Sequence, residues 1–322
     1  MKKIVGIIAA VAMAASVFAV DFSAGARLEG NIFKYDGGTK AISGLNIAVN
    51  NQDYHKPFTF NLSTDNVGAT VKIAEKGLNK TGDESTYEST TYRIWFKPFD
   101  AVKIELGKID LAMHTESMGW YRRILNYDSW GYKVGIAAGD ATIYVSLVPG
   151  YNKMFFSKPD SGDFSLAELN FAVDYNADFG NIMAMADFSD TFDTIKVAAG
   201  YKGTFGAISF FVDYMFTKAA TNSNNITADF KYAQDAITFE AYTNVGIANS
   251  TSMALVARGT YQFDAFKTYL EFDCGNILAD SFAAKIELGF EGNMGALGWE
   301  VKPAFNIGSN NFAVPFAVNV AF

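Results

Sequence analysis

The last eleven residues of this 322-residue chain alternate between apolar and small or polar side chains. They read FAVPFAVNVAF, and the apolar residues that share one face are Phe312, Val314, Phe316, Val318, Val320 and Phe322. A period of two residues predicts a β-strand. A strand with so continuous an apolar face needs an apolar environment beside it, either a protein core or lipid.

The same alternation recurs along most of the chain. The segments 22–29, 92–97, 102–107, 208–216 and 282–291 each place apolar residues on one face and small, polar or charged residues on the other. Phe (29) and Tyr (16) are abundant whereas Pro (6) is scarce, which favours strands. The alternating runs are about 8–11 residues long, which matches the roughly 9–11 residues that cross a bilayer at a tilt. A soluble sandwich gives the same alternation with its apolar face inward.

The connections between these segments separate the two alternatives, because short and long ones alternate. Short turns are predicted at 98–100, 139–140, 176–180, 202–206, 233–236, 263–266 and 292–296. Longer polar connections are predicted at 75–89, 110–129, 149–164, 217–225, 245–252, 274–281 and 306–311. This asymmetry is typical of outer-membrane barrels, which have short turns at one end and longer loops at the other.

The C-terminal segment resembles the closing strand of bacterial outer-membrane β-barrels, and Phe316, Val318, Val320 and Phe322 carry the resemblance. It implies an all-β fold, a transmembrane antiparallel up-and-down β-barrel in the bacterial cell outer membrane. It also implies that the last strand pairs with the first and is the signal for the barrel-assembly machinery.

The predicted number of strands depends on how the segment 58–73 is interpreted. Five candidate strands precede Pro98 and fourteen follow it, and nineteen is incompatible with both termini on one side of a membrane. The parity of the apolar residues changes between residues 58–62 and 67–73, either at a turn or at a bulge within one long strand. We interpret the change as a bulge or misread segment, which predicts about 18 strands, with 16 as the next alternative.

The N-terminus predicts export. Lys2 and Lys3 precede an uncharged run to Val17, and Val17 and Ala19 are small residues at the −3 and −1 positions of a cleavage site. We therefore expect a signal peptide at 1–19 and one barrel domain at 20–322. The only cysteine, Cys274, excludes an intramolecular disulfide.

Composition excludes several function classes. No uncharged apolar stretch after the signal peptide approaches the roughly 18 residues of a membrane-spanning helix. The net charge of −8, or −10 without Lys2 and Lys3, argues against nucleic acid. The two histidines, His55 and His114, and the single cysteine have no metal-site spacing, and no cofactor is expected. The neighbours His114, Glu116 and Ser117 do not make a triad, so the chain is not expected to be an enzyme.

The predicted function is that of a porin, because a barrel of 16–18 strands leaves a water-filled channel. Its activity would be passive diffusion of small hydrophilic solutes and ions. The loop 110–129 is the longest and is the candidate constriction, with the charged residues Glu116, Arg122 and Arg123. General porins fold one long loop into the lumen, and here an infolded loop and an external one both stay open.

The charges expected in the lumen form two groups. Basic residues dominate around strand segments 90–109, and acidic ones dominate in later strands. The full set of candidate lumen residues is Arg93, Lys97, Lys103, Glu105, Glu116, Arg122, Arg123, Glu240, Arg258, Glu271, Lys285 and Glu287. A basic wall facing an acidic wall would create a transverse field across the pore. The alternative is local cross-strand ion pairs, such as Lys285 with Glu271.

Two other functions stay open at this point. The loops 75–89 and 149–164 would suit a surface-exposed structural or adhesin barrel with an occluded lumen, and a substrate-specific outer-membrane transporter is a further alternative. The expected partners are outer-membrane lipid, the barrel-assembly machinery, and small solutes and ions. Outer faces rich in Ala and Gly are compatible with a homotrimer.

Overall fold

The computed structural model describes residues 19–49, 58–74, 89–119, 122–148, 168–189 and 192–321. The predicted signal peptide lies outside these residues except for Ala19, the first residue of β1. Within this part of the chain no helix is long and apolar enough to cross a membrane.

The described residues form 21 strand segments of one antiparallel sheet. Their bounds are β1 Ala19–Asp36, β2 Ala41–Ser43, β3 Asn46–Val49, β4 Phe58–Ser63, β5 Val67–Ala74, β6 Ser89–Phe99, β7 Val102–Ala112, β8 Asn126–Ala138, β9 Ala141–Val148, β10 Glu168–Ala177, β11 Gly180–Phe188, β12 Ile195–Phe205, β13 Ile208–Lys218, β14 Ser223–Gln234, β15 Ile237–Ile247, β16 Thr251–Gln262, β17 Phe266–Cys274, β18 Ala284–Met294, β19 Leu297–Val301, β20 Ala304–Ile307 and β21 Asn311–Ala321.

We call one full crossing of the barrel wall a pass, and a pass can consist of several strand segments that lie end to end. The 21 segments make 18 passes, because β2, β3 and β4 form one pass and β19 and β20 form another. The segments β2, β3 and β4 lie end to end along β1, pairing with its residues 34–36, 28–31 and 19–24. The segments β19 and β20 lie in one register between β18 and β21. They are separated at Pro303, which has no N–H to donate to a ladder. The prediction of about 18 strands is thereby confirmed.

The last strand closes the sheet on the first. Strand β21 pairs with β1 from Gly25 opposite Ala321 to Tyr35 opposite Phe312, and β21 also pairs with β19 and β20. Every described pass therefore has an antiparallel neighbour on both sides. The predicted up-and-down topology is confirmed, as is the pairing of the terminal strand with the first.

The change of apolar parity near residue 65 is a turn, so our interpretation of it as a bulge is wrong. Strands β4 and β5 are an antiparallel pair that ends with Ser63 opposite Gly68. The Thr64 hydroxyl accepts hydrogen bonds from the backbone N–H groups of Asn66 and Val67, which closes a side-chain-stabilised turn. The nineteen candidate strands counted from the sequence were one too many for a different reason. The candidates at 42–50 and 57–63 belong to one pass that pairs with β1.

The distribution of side chains is the reverse of that in a soluble protein. Large apolar side chains point outward, as in Val212 and Leu270, which are 47% and 58% exposed. Polar side chains are buried on the opposite face, and Asp213, Thr227 and Glu271 are fully inaccessible. A soluble sandwich would bury the first set and expose the second. The structure therefore excludes the sandwich alternative and places the polar face inside the barrel.

A row of side chains with alternating charges lies on the inner face where β21 pairs with β1, which we call the seam. The Arg27 guanidinium of β1 reaches over β21 to Glu300 of β19, and it also bonds Asn319 of β21 at 3.0 Å. Lys302 Nζ lies 2.5 Å from Glu300 Oε2 and continues the row. In order, the row is Lys267, Glu291, Lys302, Glu300, Arg27 and Glu29.

Removing the cation that bonds both Glu300 of β19 and Asn319 of β21 should weaken the closure of the ring. We expect Arg27→Ala to destabilise the folded barrel by about 1–3 kcal/mol, because Glu300 loses a charge-assisted hydrogen bond in a partly buried position. The measurement is the midpoint of heat-induced unfolding, followed by the mobility shift of the unheated and heated protein. Lys97→Ala, which removes an exposed inner cation, is the matched control. An R27A midpoint equal to that of the control would contradict this role.

Candidate functional site

The connection between β7 and β8 lies inside the barrel. We call residues 113–125 the lumen loop; of these, 113–119 and 122–125 are described. Arg258 of β16 donates a 2.6 Å hydrogen bond to the carbonyl oxygen of Met118. Strand β7 is the fifth pass and β16 the fourteenth, so nine of 18 passes separate them and they face each other. The lumen loop thus reaches from one wall to the opposite wall.

Hydrophobic packing explains why this loop folds inward. The inner faces of β10–β13, β15 and β16 carry apolar side chains at positions where the barrel otherwise has polar ones. One cluster joins Leu111, Met113, Ile124 and Leu125 to Ala172, Met183, Met185 and Ala198. A second cluster joins Met118 to Phe211, Tyr242 and Val256. Burying these faces against the loop removes apolar surface from the water-filled interior.

Two polar side chains of the lumen loop fix its middle to the far wall. The backbone N–H and the hydroxyl of Ser117 each donate a 2.7 Å hydrogen bond to the Glu240 carboxylate of β15. Lys231 of β14 donates to the same hydroxyl at 2.7 Å. Arg122 Nη2 lies 2.7 Å from Asp273 Oδ2 of β17. These contacts seat the loop against β14–β17.

Glu116 holds the loop together instead of facing the channel. Its carboxylate accepts hydrogen bonds from the backbone N–H groups of Met118 and Arg122, the second at 3.1 Å. The residue is only 4% exposed. Because both carboxylate oxygens are directed into the loop, Glu116 stabilises the compact turn that presents Ser117 to the wall.

The acidic residues of the far wall are paired locally. Lys285 Nζ lies 3.6 Å from Glu271 Oε1 and 3.1 Å from Glu287 Oε2. Arg258 Nε donates a 2.8 Å hydrogen bond to Glu271 Oε2, and its guanidinium lies 4.3 Å from the Tyr269 ring centroid. The geometry therefore has the cross-strand ion pairs that the sequence left as the alternative to an acidic wall.

The opposite wall carries an excess of cations. Arg93, Lys97 and Lys103 line a recess of about 420 Å³ on β6–β9. Glu105 is 3% exposed and is bridged by Lys103 at 2.7 Å and by Lys133 at 2.5 Å. Arg93 and Lys97 have no carboxylate partner among the described residues. This recess is therefore positive.

A second recess continues the positive surface toward the long-loop end. It is lined by Lys72, Arg93, Lys108, Asp110 and Arg123, and Arg93 is common to both recesses. The only acidic residue in this lining is Asp110, whose Oδ1 lies 3.9 Å from Arg123 Nη1. We call the joined surface the basic track.

The structure brings together only part of the predicted basic group. Arg93, Lys97, Lys103 and Arg123 line the basic track, whereas Arg122 crosses the lumen to Asp273. The sequence reasoning missed Lys72, Lys108 and Lys133. The signal for Lys72 and Lys133 was present, because each stands between two apolar residues of an alternating strand.

The sequence reasoning also missed the apolar residues of the barrel wall against which the lumen loop packs. The available signal was a large apolar residue on a face that is otherwise polar: Phe211 and Met215 alternate in phase with Asp213.

In the closing strand, Phe316, Val318 and Val320 lie opposite Gly30, Leu28 and Ala26 of β1. Phe322 lies outside the described residues.

The comparisons with known proteins support the fold. No family model and no curated protein matches this sequence. Among solved structures, the chain is similar to a BenF-like porin from Pseudomonas fluorescens Pf-5, at 10% identity and a TM-score of 0.64, over 94% of this chain and 98% of that chain. The outer membrane protein opdK from Pseudomonas aeruginosa gives 11% identity and a TM-score of 0.62, over 94% and 98%. OccK2 (OpdF) from the same organism, in complex with glucuronate, gives 10% and 0.63, over 94% and 96%.

The two adjacent arginines of the lumen loop should respond differently to charge reversal. We expect Arg123→Glu to lower the anion-to-cation permeability ratio by roughly a factor of five, corresponding to about 1 kcal/mol for a charge beside the ion path. Arg122→Glu should instead place a carboxylate beside Asp273, loosen the loop and make channel currents unsteady. Reversal potentials and current noise in planar bilayers distinguish the two. Equal shifts of reversal potential in both variants would contradict the opposite placement of these side chains.

Proposed function

We propose that this protein is a porin of the bacterial outer membrane, a water-filled channel for passive diffusion of small hydrophilic solutes. The observation that carries the proposal is the inverted barrel: 18 passes with a polar inner face and an apolar outer face. A ring of this size leaves an aqueous interior. The similarity to solved porin structures over nearly the whole chain supports it.

The placement in a membrane follows from the outer face. Aromatic rings gather near the short-turn end, where Phe263 stacks on Phe266 at 4.7 Å and Phe179 stacks on Tyr201 at 6.5 Å. Such rings are typical of the interface between lipid and water. With this placement, residues 1–19 are the signal peptide that directs export, and residues 20–322 are the mature barrel domain. The terminal strand is then the segment recognised by the barrel-assembly machinery.

The favoured solutes are anions. The acidic wall is neutralised mainly by its own cross-strand cations and is covered by the lumen loop, so the remaining open path runs beside the basic track. Arg93, Lys97 and Lys72 contribute positive charge there without a carboxylate partner among the described residues. One of the similar structures holds glucuronate, a small carboxylate. A loop held across the lumen also favours a narrow, selective channel over a wide unselective one.

The test is planar-bilayer conductance of the refolded chain 20–322, with reversal potentials measured in a salt gradient. We expect stable steps and a preference for anions, and we expect Arg93→Glu to reduce that preference because Arg93 lines both recesses. Lys34→Glu, which reverses an exposed cation of β1 outside the basic track, is the control for a charge change elsewhere. A folded, heat-modifiable sample without steps would overturn the porin proposal and favour an occluded structural or adhesin barrel. Steps with cation preference would overturn only the proposed solute class.

A further inference from the structure

A buried site on the inner wall receives one side chain of the lumen loop. His114 Nδ1 lies 2.6 Å from Asp213 Oδ1 of β13, and His114 Nε2 lies 2.6 Å from Asn181 Oδ1 of β11. The side chain of Asp213 is completely inaccessible and that of His114 is 6% exposed. None of these three residues lines the basic track.

The hydrogen-bond pattern places an acceptor at each ring nitrogen of this imidazole. The Asn181 amide nitrogen donates to Asp174 Oδ1 at 2.5 Å and to Asn176 Oδ1 at 2.8 Å, so its oxygen is the atom that faces His114. Both ring nitrogens therefore meet acceptors. A neutral imidazole has a single N–H and satisfies only one of them, whereas the imidazolium donates to both.

The wall is shaped to hold this pair. Gly200 of β12 lies directly opposite Asp213, and a Cβ on Gly200 would stand 1.7 Å from Asp213 Oδ1. The absence of a side chain at Gly200 is thus what leaves room for the carboxylate. The Phe211 ring lies 5.8 Å from the imidazole and closes the site on one side. Asp213 Oδ2 has no hydrogen-bond partner among the described residues, so the contact with His114 is the hydrogen bond that holds this buried side chain there.

Other charged groups surround the pair. On the barrel wall they are Asp174 of β10, which bonds Asn181, and Lys202 of β12, the register partner of Asn181. Asp229 of β14 stands opposite Phe211. Glu116, on the loop itself, is directed to its own backbone. Three of the four are acidic, which is a setting that favours a cation on the loop.

We infer that His114 is a positioning residue that latches the lumen loop to the barrel wall as an imidazolium, and that loss of its proton releases the loop into the channel. This inference rests on the proposed porin function. Deprotonation leaves one of the two oxygens facing a lone pair and leaves Asp213 without its counter-charge. Histidine is the side chain that ordinarily changes charge between about pH 5 and pH 8. The channel is therefore steady in acid and unsteady in alkali.

The experiment records single channels of the refolded chain at about pH 5 and about pH 9, below and above the range in which histidine side chains ordinarily change charge. We expect the fraction of time in closed or reduced-conductance states to rise about tenfold at the higher pH, the population change for one lost charge-assisted hydrogen bond. His114→Gln should remove this pH response. His55→Gln, which replaces the only other histidine, is the matched control and should keep it.

Each outcome is decisive for the latch. A wild-type channel with the same closed fraction at both pH values overturns the inference, as does H114Q with an unchanged pH response or H55Q without one. Asp213→Asn, which keeps the shape of the acceptor but removes its charge, replaces H114Q if that variant does not assemble, and it too should abolish the response. The complete absence of channels in wild type contradicts the porin proposal, whereas pH-independent channels contradict only the latch.

Discussion

The closed ring of backbone hydrogen bonds determines which side chains face lipid and which face the interior. A strand with an apolar outer face in lipid has no water for its unpaired N–H and C=O groups, so an open edge costs several kcal/mol for each unsatisfied group. Pairing of β21 with β1 removes both edges. Closure also commits every second side chain to the interior, where polar groups face each other across an aqueous space.

The lumen loop converts this interior into an asymmetric one. Its apolar residues cover the inner faces of β10–β13, β15 and β16. On the far side, Ser117 donates a hydrogen bond to Glu240 and Arg122 donates one to Asp273. The near side keeps Arg93 and Lys97 without carboxylate partners among the described residues. The charge asymmetry predicted from sequence as two opposed walls is therefore better described as one basic wall facing a loop-covered, internally paired wall.

The alternation of side chains was enough to predict most of the fold, because a period of two assigns each residue to a face regardless of its distant partners. It assigned Glu271 and Arg93 to the polar face of their strands. It could not show that residues 41–49 and 58–63 share one pass, since that depends on register with β1. Nor could it separate Arg122 from Arg123: the two are adjacent in sequence, and only the docking of the loop directs them to opposite walls. His114 was considered as a catalytic base and set aside, whereas its burial depends on Gly200 and Asp213, which are remote in sequence.

A thiol cross-link between the lumen loop and β16 tests whether the loop crosses the barrel. In a Cys274→Ala background, cysteines replace Met118 of the loop and Val256 of β16, which pack together in one buried cluster. Cysteines at Met118 and Ser23 of β1 form the control pair, since Ser23 alternates in phase with the inner residues Arg27 and Glu29 and β1 contributes no residue to that cluster. If the loop crosses the lumen, a short bifunctional thiol reagent joins residues 118 and 256 in the folded barrel and leaves the control pair unlinked. Free reaction of the 118 thiol with a membrane-impermeant reagent and no link to 256 would show that the loop lies outside the lumen.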